Sequence, residues 1–342
     1  MLTIILAIVI VVTGIYVWLF YPQQQIDAKT IQQVFVTTPD VEKYHNDCLH
    51  PCIRRMSDGR YVMVQSPWYK CQDGIENPIL YISHDPMFWE NGIVVADTPE
   101  RGYNSDPNVF VEGNRIYVFW REVDTPLCEQ LGVNCATVGV YTDDEGKTFS
   151  YKRVYLTSDN SSVDTEICPI LMKNRNSYRF YATWYERDRT YRHNLGIAIW
   201  DGTNLDRPDF KLTKTVNFET KKICDKFKQL KVFGLFFFIP KPHKFDLWHF
   251  DLFEKNNKLY MVASEERGDV IMLAVSDDWE RFQLQRKPLI NAHYMETNLG
   301  CRQAYYKPTM CSEGDDILLF YTTNDDKVSF HNVLMASVLS IK

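Results

Sequence analysis

Short runs of apolar and aromatic residues recur along the chain after residue 25, and successive runs are separated by turns that carry Gly, Asn or Asp. The first copy spans residues 50–64 with Asp58-Gly59 at its turn, and the second spans residues 106–119 with Gly113-Asn114. Apolar runs of this length on either side of such turns are typical of antiparallel β-hairpins. The pattern predicts five hairpins, whose first strands begin near His50, Asp106, Cys168, Phe250 and Lys307.

A third and usually a fourth apolar run follow each hairpin, as in residues 80–83 and 92–96 after the first. Four runs in succession predict one four-stranded sheet per repeat, and five such sheets predict an all-β, five-bladed β-propeller. The fifth repeat ends before a fourth run, and residues 31–37 have the right character to supply it. We therefore predict that residues 26–342 form one propeller closed by its N-terminal strand, although 342 residues would allow two domains.

Residues 2–20 form an apolar run without a charged side chain, about long enough to cross the hydrocarbon core of a bilayer. Large residues at 18–21 stand where a signal peptidase would need small ones, so we expect residues 1–25 to be an uncleaved membrane anchor. A cleaved signal peptide is the alternative. Only Lys29 follows closely, so the orientation is weakly encoded, and we expect the body to be extracytoplasmic, either periplasmic or at the cell surface.

Charge and cysteine content exclude several classes of function. The net charge is −6 and the chain has no long Lys or Arg run, so a nucleic-acid partner is not expected. No Gly-rich phosphate loop indicates a nucleotide cofactor. The nine cysteines form no paired CxxC set, so no metal site is predicted from them. Cys128 and Cys135 flank a short loop and would form a disulfide outside the cytosol, or remain thiols.

An insertion interrupts the repeat, because 82 residues separate Pro169 from Asp251 against 56 between Pro51 and Pro107. Residues 221–231 are basic and predict a short helix, and residues 232–239 are strongly apolar. We expect the insertion to be an extra element packed on the ring, with a lid over the site as the alternative.

The first strand of each propeller blade lines the central channel, so residues where these strands begin converge on one opening. Charged and polar residues stand there in every repeat, which makes this opening the expected functional site. The candidates are Asp47, His50, Arg54, Asp106, Asp164, Glu166, His249, Asp251, Arg302 and Lys307.

Two of these positions resemble motifs of the five-bladed glycoside hydrolases that cleave arabinan and xylan and, more distantly, invertase-like enzymes. Ser105-Asp106-Pro107 is similar to the motif whose Asp orients the acid, and Glu166-Ile167-Cys168-Pro169 is similar to the motif whose Glu is the general acid. The resemblance implies that Glu166 protonates the departing glycosidic oxygen while Asp106 modulates it. It also implies an oligo- or polysaccharide partner, no cofactor, and room for a structural calcium ion.

The chain departs from that family in two places. His50 precedes Pro51 where the family has its Asp base or nucleophile, so either His50 or the nearby Asp47 is expected to take that role. Glu166 lies three residues before Pro169 rather than two, which on a regular strand would place it on the other face. A β-bulge would restore its position.

Two alternatives remain open at this stage. Several Arg residues suit a sialidase-like enzyme on acidic sugars, and residues 142–149 resemble the Asp-box turn of sialidase propellers. A carbohydrate-binding propeller without catalytic activity is the second alternative. In each case the expected substrate-binding residues are Arg54, Trp68, Arg121, His249, Asp251 and Arg302.

Overall fold

A computed structural model shows five antiparallel sheets arranged as a five-bladed β-propeller, which confirms the predicted fold class. The first strands of the five blades contact one another in a closed cycle, so the sheets surround one axis. The structure describes residues 10, 11, 14, 32–157, 164–187, 192–217, 222–232, 235–245, 247–265, 270–285, 288–291, 305–313, 316–324 and 332–339.

The N-terminal part of the described chain lies against the outer edge of the ring. Its elements are strands β1 (Gln32–Gln33) and β2 (Phe35–Val36) and a single helical turn α1 (Val41–Tyr44). Blade 1 follows, with strands β3 (Cys52–Arg55), β4 (Tyr61–Gln65), β5 (Ile79–Ser83) and β7 (Ile93–Val94). The short strand β6 (Phe88–Trp89) pairs in parallel with β2, and two 3-10 turns (Tyr69–Cys71 and Asp73–Ile75) precede β5.

Blades 2 and 3 are four-stranded sheets. Blade 2 consists of β8 (Tyr103–Glu112), β9 (Arg115–Val123), β10 (Cys135–Thr142) and β11 (Arg153–Thr157), with helix α2 (Pro126–Leu131) between β9 and β10. Blade 3 consists of β12 (Asp164–Asn174), β13 (Ser177–Arg187), β14 (Arg192–Gly202) and β15 (Lys211–Asn217).

The insertion forms a hairpin of β16 (Lys222–Val232) and β17 (Leu235–Lys244). The predicted helix over residues 221–231 is therefore wrong, because residues 222–231 pair along their length with an apolar, β-favouring partner run.

Blades 4 and 5 complete the ring. Blade 4 contains β18 (Leu247–Lys255), β19 (Lys258–Glu265), β20 (Val270–Ser276), β21 (Gln283–Leu284) and β22 (Ile290–Asn291), where β21 and β22 both pair with β20. Blade 5 contains β23 (Tyr306–Glu313), β24 (Asp316–Asn324) and β25 (Asn332–Leu339). Its fourth strand is β1, which pairs with β25, so that Gln32 lies opposite Ala336 and Gln33 lies opposite Met335.

Five hydrophobic clusters fill the spaces between blades, one at each of the five interfaces. Strand β9 shows how the sequence produces them. Val118 and Trp120 pack towards blade 1, whereas Tyr117 and Phe119 pack towards blade 3. Because side chains along a strand alternate between two faces, a strand of consecutive apolar residues can fill two interfaces at once.

Turns after the third strands carry carboxylates that bond to the backbone. Asp144 Oδ1 accepts a hydrogen bond from Thr148 N at 2.9 Å, Asp85 Oδ1 accepts one from Met87 N at 2.8 Å, and Asp278 Oδ1 accepts one from Arg281 N at 2.7 Å. The nearby rings of Trp89 and Phe282 are buried between blades.

Two further expectations concern the termini and the cysteines. Among the described residues no helix is long and apolar enough to span a bilayer, and the expected anchor at residues 1–25 lies outside them apart from positions 10, 11 and 14. Cys128 and Cys135 are both buried free thiols, so of the two states left open for this pair the structure has the unbridged one.

Asp47 joins blade 1 to blade 5 from a fully buried position. Its carboxylate accepts hydrogen bonds from Trp68 N at 2.7 Å and from Asn332 N at 2.6 Å, the latter at the start of β25. Asn332 Nδ2 donates to the same carboxylate at 3.0 Å. These bonds act next to the seam where the N-terminal strand closes the ring.

We expect Asp47→Ala to lower the free energy of unfolding by about 2–3 kcal/mol, because hydrogen bonds to a buried charge are worth about 1.5–3 kcal/mol. Urea denaturation of the full chain measures this loss. Asp277→Ala is the control, since that side chain is 74% exposed and a surface change typically costs less than about 0.5 kcal/mol. Equal denaturation midpoints for the two variants would contradict a closing role for Asp47.

Candidate metal centre

All five inner strands are irregular near their beginnings. The pairing register shifts between Ser105 and Asn108 in β8, on both sides of Ile167 in β12, between Leu247 and His249 in β18, and between Tyr306 and Thr309 in β23. In blade 1, the backbone N–H groups of Leu49 and His50 both donate to Ser66 O. Such bulges insert an extra residue and redirect its side chain, which a regular strand would not do.

Asp106 lies within the bulge of β8 and has a left-handed backbone, with φ of 49°. A non-glycine residue in this region costs of order 1 kcal/mol and persists only where surrounding contacts impose it. Here the contacts come from its own blade, through Arg121, and from two other blades, since the carboxylate of Asp106 also faces His50 and His249.

His50, Asp106 and His249 form a compact buried cluster in which each residue offers one ligand atom within 4.8 Å of the others. Asp106 Oδ1 lies 3.5 Å from His50 Nε2 and 3.6 Å from His249 Nδ1. These separations are longer than the usual N–H···O hydrogen bond of about 2.7–3.2 Å. Two ligands that each lie about 2.1 Å from a tetrahedral ion are separated by about 3.4 Å. The spacing therefore fits a divalent metal ion with two imidazoles and one carboxylate.

The second ring nitrogen of His50, Nδ1, is also held by polar neighbours. Glu76 Oε1 and Ser66 Oγ each lie 2.9 Å from His50 Nδ1, and Ser105 Oγ donates to Glu76 Oε1 at 2.6 Å. A metal-binding histidine typically donates its second ring N–H to a carboxylate, which sets the tautomer and the ring orientation. Glu76 is placed to do this for His50, leaving Nε2 directed at Asp106.

Charges around the cluster favour the protonation states that a metal requires. Burial opposes ionisation of Asp106, but Arg121, with Nη2 at 3.0 Å from Oδ2, and the nearby His50, His249 and Lys307 outweigh it and hold the pKa of Asp106 well below its usual range. Burial lowers the pKa of His249 well below its usual value. An ionised carboxylate and a neutral imidazole are the forms that bind metal ions.

Aromatic side chains cover one side of the cluster. The ring of Tyr306 lies 4.4 Å from that of His249 and 5.4 Å from that of His50, measured between centroids. Trp248 Nε1 donates to Tyr306 Oη at 3.0 Å. Tyr306 and Trp248 are half-buried, whereas both histidines are buried.

A second polar layer lies further along the inner strands. Arg54 donates two hydrogen bonds to Asp251, at 2.8 and 2.6 Å, and Thr309 Oγ1 donates to Asp251 Oδ2 at 2.6 Å. Arg54 and Asp251 were predicted as separate substrate-binding residues. In the structure they bind each other and link blades 1, 4 and 5.

The other predicted site residues fall in different places. Trp68 is half-buried and its Nε1 donates to Asp73 at 2.8 Å, and Arg121 pairs with Asp106 within the cluster. Glu166 lies in β12 beside the register shifts at Ile167, and its side chain is outside the described part of the structure, as is the whole of Arg302.

Four residues of the site were not predicted from the sequence, namely Ser66, Glu76, Trp248 and Tyr306. Glu76 follows a 3-10 turn in a loop, where no alternation of apolar residues marks a position. Tyr306 had a usable signal, because it directly precedes Lys307-Pro308 where the inner strand of the fifth repeat begins.

Comparison with solved structures shows likeness over most of the chain. An N-acetylgalactosamine deacetylase from F. plautii, in complex with blood group B trisaccharide, is similar with a TM-score of 0.60 and 12% identity, over 93% of this chain and 94% of the other. A xylan β-1,4-xylosidase from Bacillus halodurans has a TM-score of 0.57 and 12% identity, over 85% of this chain and 53% of the other.

A family 117 glycoside hydrolase from Zobellia galactanivorans is similar with a TM-score of 0.56 and 11% identity, over 90% of this chain and 89% of the other. No protein-family model matches the sequence, and no curated protein matches it. At these identities the likeness shows a shared fold, and it confirms the predicted resemblance to five-bladed propeller hydrolases at that level.

We expect the chelator-treated full chain to bind one Zn²⁺ per molecule through His50, Asp106 and His249. At a free Zn²⁺ concentration 100 times the dissociation constant, the free energy of unfolding should rise by about 2.7 kcal/mol. Isothermal titration measures the stoichiometry. His249→Gln should abolish binding, whereas the exposed control His84→Gln should retain it. Equal affinities for the two variants would overturn the assignment of His249 as a ligand.

Glu76→Gln should weaken Zn²⁺ binding by about 10–100-fold, because the group that orients a ligand histidine contributes about that much to metal affinity. Glu122→Gln is the matched control, since Glu122 is also buried and instead bonds to Lys152 and Thr125. A fall in affinity shared by both variants would indicate general loosening of the fold rather than positioning of His50.

Proposed function

We propose that this protein is a carbohydrate-active hydrolase that removes an acyl group, such as acetyl, from a saccharide by metal-assisted hydrolysis. The observation that carries the proposal is the buried cluster of His50, Asp106 and His249. Three protein ligands leave a coordination position for water or substrate, which is the arrangement of catalytic rather than structural zinc sites.

The chemistry of acyl removal suits such a site. A zinc ion held by His50, Asp106 and His249 would supply a Lewis acid for the acyl carbonyl oxygen and would lower the pKa of a bound water to about 7. The chain's own groups hold the ligands ready, since Asp106 is kept ionised by Arg121 and the His50 ring is oriented by Glu76.

Two observations support a saccharide as the substrate. The neighbour from F. plautii is described as a deacetylase of an N-acetylated sugar and holds a trisaccharide, and other neighbours are described as xylosidases. On this chain, the half-buried rings of Tyr306 and Trp248 lie beside the cluster, where an aromatic ring can pack against the apolar face of a sugar.

Glycosidic-bond hydrolysis is the second candidate, and the register shifts around Ile167 favour it. A bulge there would compensate for the one-residue displacement of Glu166 from the family motif. In this scheme Glu166 is the acid and Asp106 its modulator, with His50 or Asp47 as base. The hydrogen bonds of Asp47 to Trp68 and Asn332, and the contacts of both His50 ring nitrogens with acidic residues, favour the metal-assisted reaction over this scheme.

The proposal includes the location of the protein. Residues 1–25 would anchor it in a membrane, with residues 26–342 as an extracytoplasmic propeller that meets its saccharide outside the cytosol. The uncharged run at residues 2–20 supports this, as does the start of the first described propeller strand at Gln32, shortly after that run.

Assays of acetate release and of reducing-sugar release on acetylated oligosaccharides separate the two reactions. We expect acetate release that is lost with chelator and restored by Zn²⁺, and a fall in kcat/KM of about 1000-fold or more in His249→Gln, equivalent to about 4 kcal/mol. Glu166→Gln should leave acetate release within about twofold of the parent protein.

The opposite pattern would replace the proposal with its alternative. Chelator-resistant release of reducing sugar that Glu166→Gln abolishes would establish glycosidic cleavage. Binding of oligosaccharides without either product would indicate a carbohydrate-binding propeller.

A further inference from the structure

The hairpin β16–β17 belongs to none of the five sheets that form the blades. Its two strands pair with each other from Lys222–Lys244 to Val232–Leu235, and among the described strands neither pairs with a third. Ten or so residues per strand at about 3.3 Å each give a ribbon about 35 Å long. An isolated two-stranded hairpin of this kind is only marginally stable in water and needs a surface to cover it.

Residue types change systematically along this ribbon. Directly paired residues share a face, and on one face the distal pairs are Val232 with Leu235 and Leu230 with Phe237. The next pair on that face is Lys228 with Ile239, and the pair after it is Lys226 with Lys241. This face is therefore wholly apolar at its distal end and wholly basic nearer the propeller.

The other face does not repeat this order, because its pairs are Lys231 with Phe236, Gln229 with Phe238 and Phe227 with Pro240. Over residues 222–244 the sequence has six lysines and one aspartate, a net charge of +5 in a chain whose net charge is −6. The hairpin is thus a basic and apolar element on an otherwise acidic protein.

We propose that the β16–β17 hairpin docks on the surface of an anionic lipid bilayer. Apolar residues at one end of an element partition into the interfacial region of a bilayer, and lysines behind them are attracted to anionic headgroups. On the face that carries Val232 and Leu235, the order of the pairs, apolar first and lysine second, matches this layering. A protein partner would need apolar and acidic surfaces in the same order.

The inference is independent of the reaction proposed above and agrees with the apolar run at residues 2–20. An N-terminal tether holds the body near a membrane, whereas a hairpin contact fixes how the body lies on it. Docking through the hairpin thereby sets the orientation of the propeller relative to the bilayer.

Hydrogen–deuterium exchange of the full chain tests the proposal, with phosphatidylcholine vesicles compared with vesicles of phosphatidylcholine and phosphatidylglycerol at 7:3. Peptides from residues 226–241 report on the hairpin itself, whatever the N-terminal segment does. We expect their exchange to slow at least fivefold on the anionic vesicles and to remain unchanged on the neutral ones.

Charge reversal supplies the variant and its matched control. Lys226→Glu, Lys228→Glu and Lys241→Glu together should abolish the slowing, while Lys70→Glu, Lys147→Glu and Lys211→Glu, which change the net charge equally at exposed positions outside the hairpin, should preserve it. Equal exchange rates on the two kinds of vesicle would overturn lipid docking. Slowing of exchange that rises with protein concentration in the absence of lipid would also overturn it, and would indicate contact between copies of the chain instead.

Discussion

The structure depends on one buried negative charge. An ionised carboxylate costs several kcal/mol to remove from water unless charged or hydrogen-bonding groups compensate it. The charges of Arg121 from its own blade and Lys307 from blade 5 compensate Asp106, and the imidazoles of His50 and His249 from blades 1 and 4 face its carboxylate. Four of the five blades therefore meet at one side chain. The same convergence brings together the two imidazoles and the carboxylate that fit a metal ion.

Bulges allow the same inner strands both to pack against neighbouring blades and to direct side chains to the cluster of His50, Asp106 and His249. Regular alternation along a strand directs side chains to the neighbouring blades, and that alternation builds the five apolar interfaces. A strand that alternated without interruption would direct all its side chains to the two neighbouring blades and none to the central cluster. The bulges near the beginnings of the inner strands redirect side chains such as that of Asp106, and beyond the bulges the strands resume regular pairing and packing. Chemistry and core are thus encoded in consecutive segments of the same strands.

Much of this arrangement was predictable because it follows from local patterns. The hairpin turns and the recurring apolar runs predicted the five blades. The expectation that the inner strands converge on one opening identified His50, Asp106 and His249 as candidate site residues. The metal centre itself was not predicted, since ligand spacing is informative only within short motifs, whereas His50 and His249 are 199 residues apart in the sequence. Glu76 was missed because it lies in an irregular loop, and the basic run of the insertion suggested a helix although its partner run is strongly β-favouring.

The closing strand has a mechanical consequence. In blade 5 the order of strands is β1, β25, β24 and β23, so the N-terminal strand is outermost and the inner strand beside the cluster is innermost. A pull on the N-terminus loads the two residue pairs between β1 and β25 first, and two intact strands separate that load from β23. Tension from a tethered terminus would thus be absorbed at the rim of the ring, and the buried carboxylate and its histidines would keep their positions.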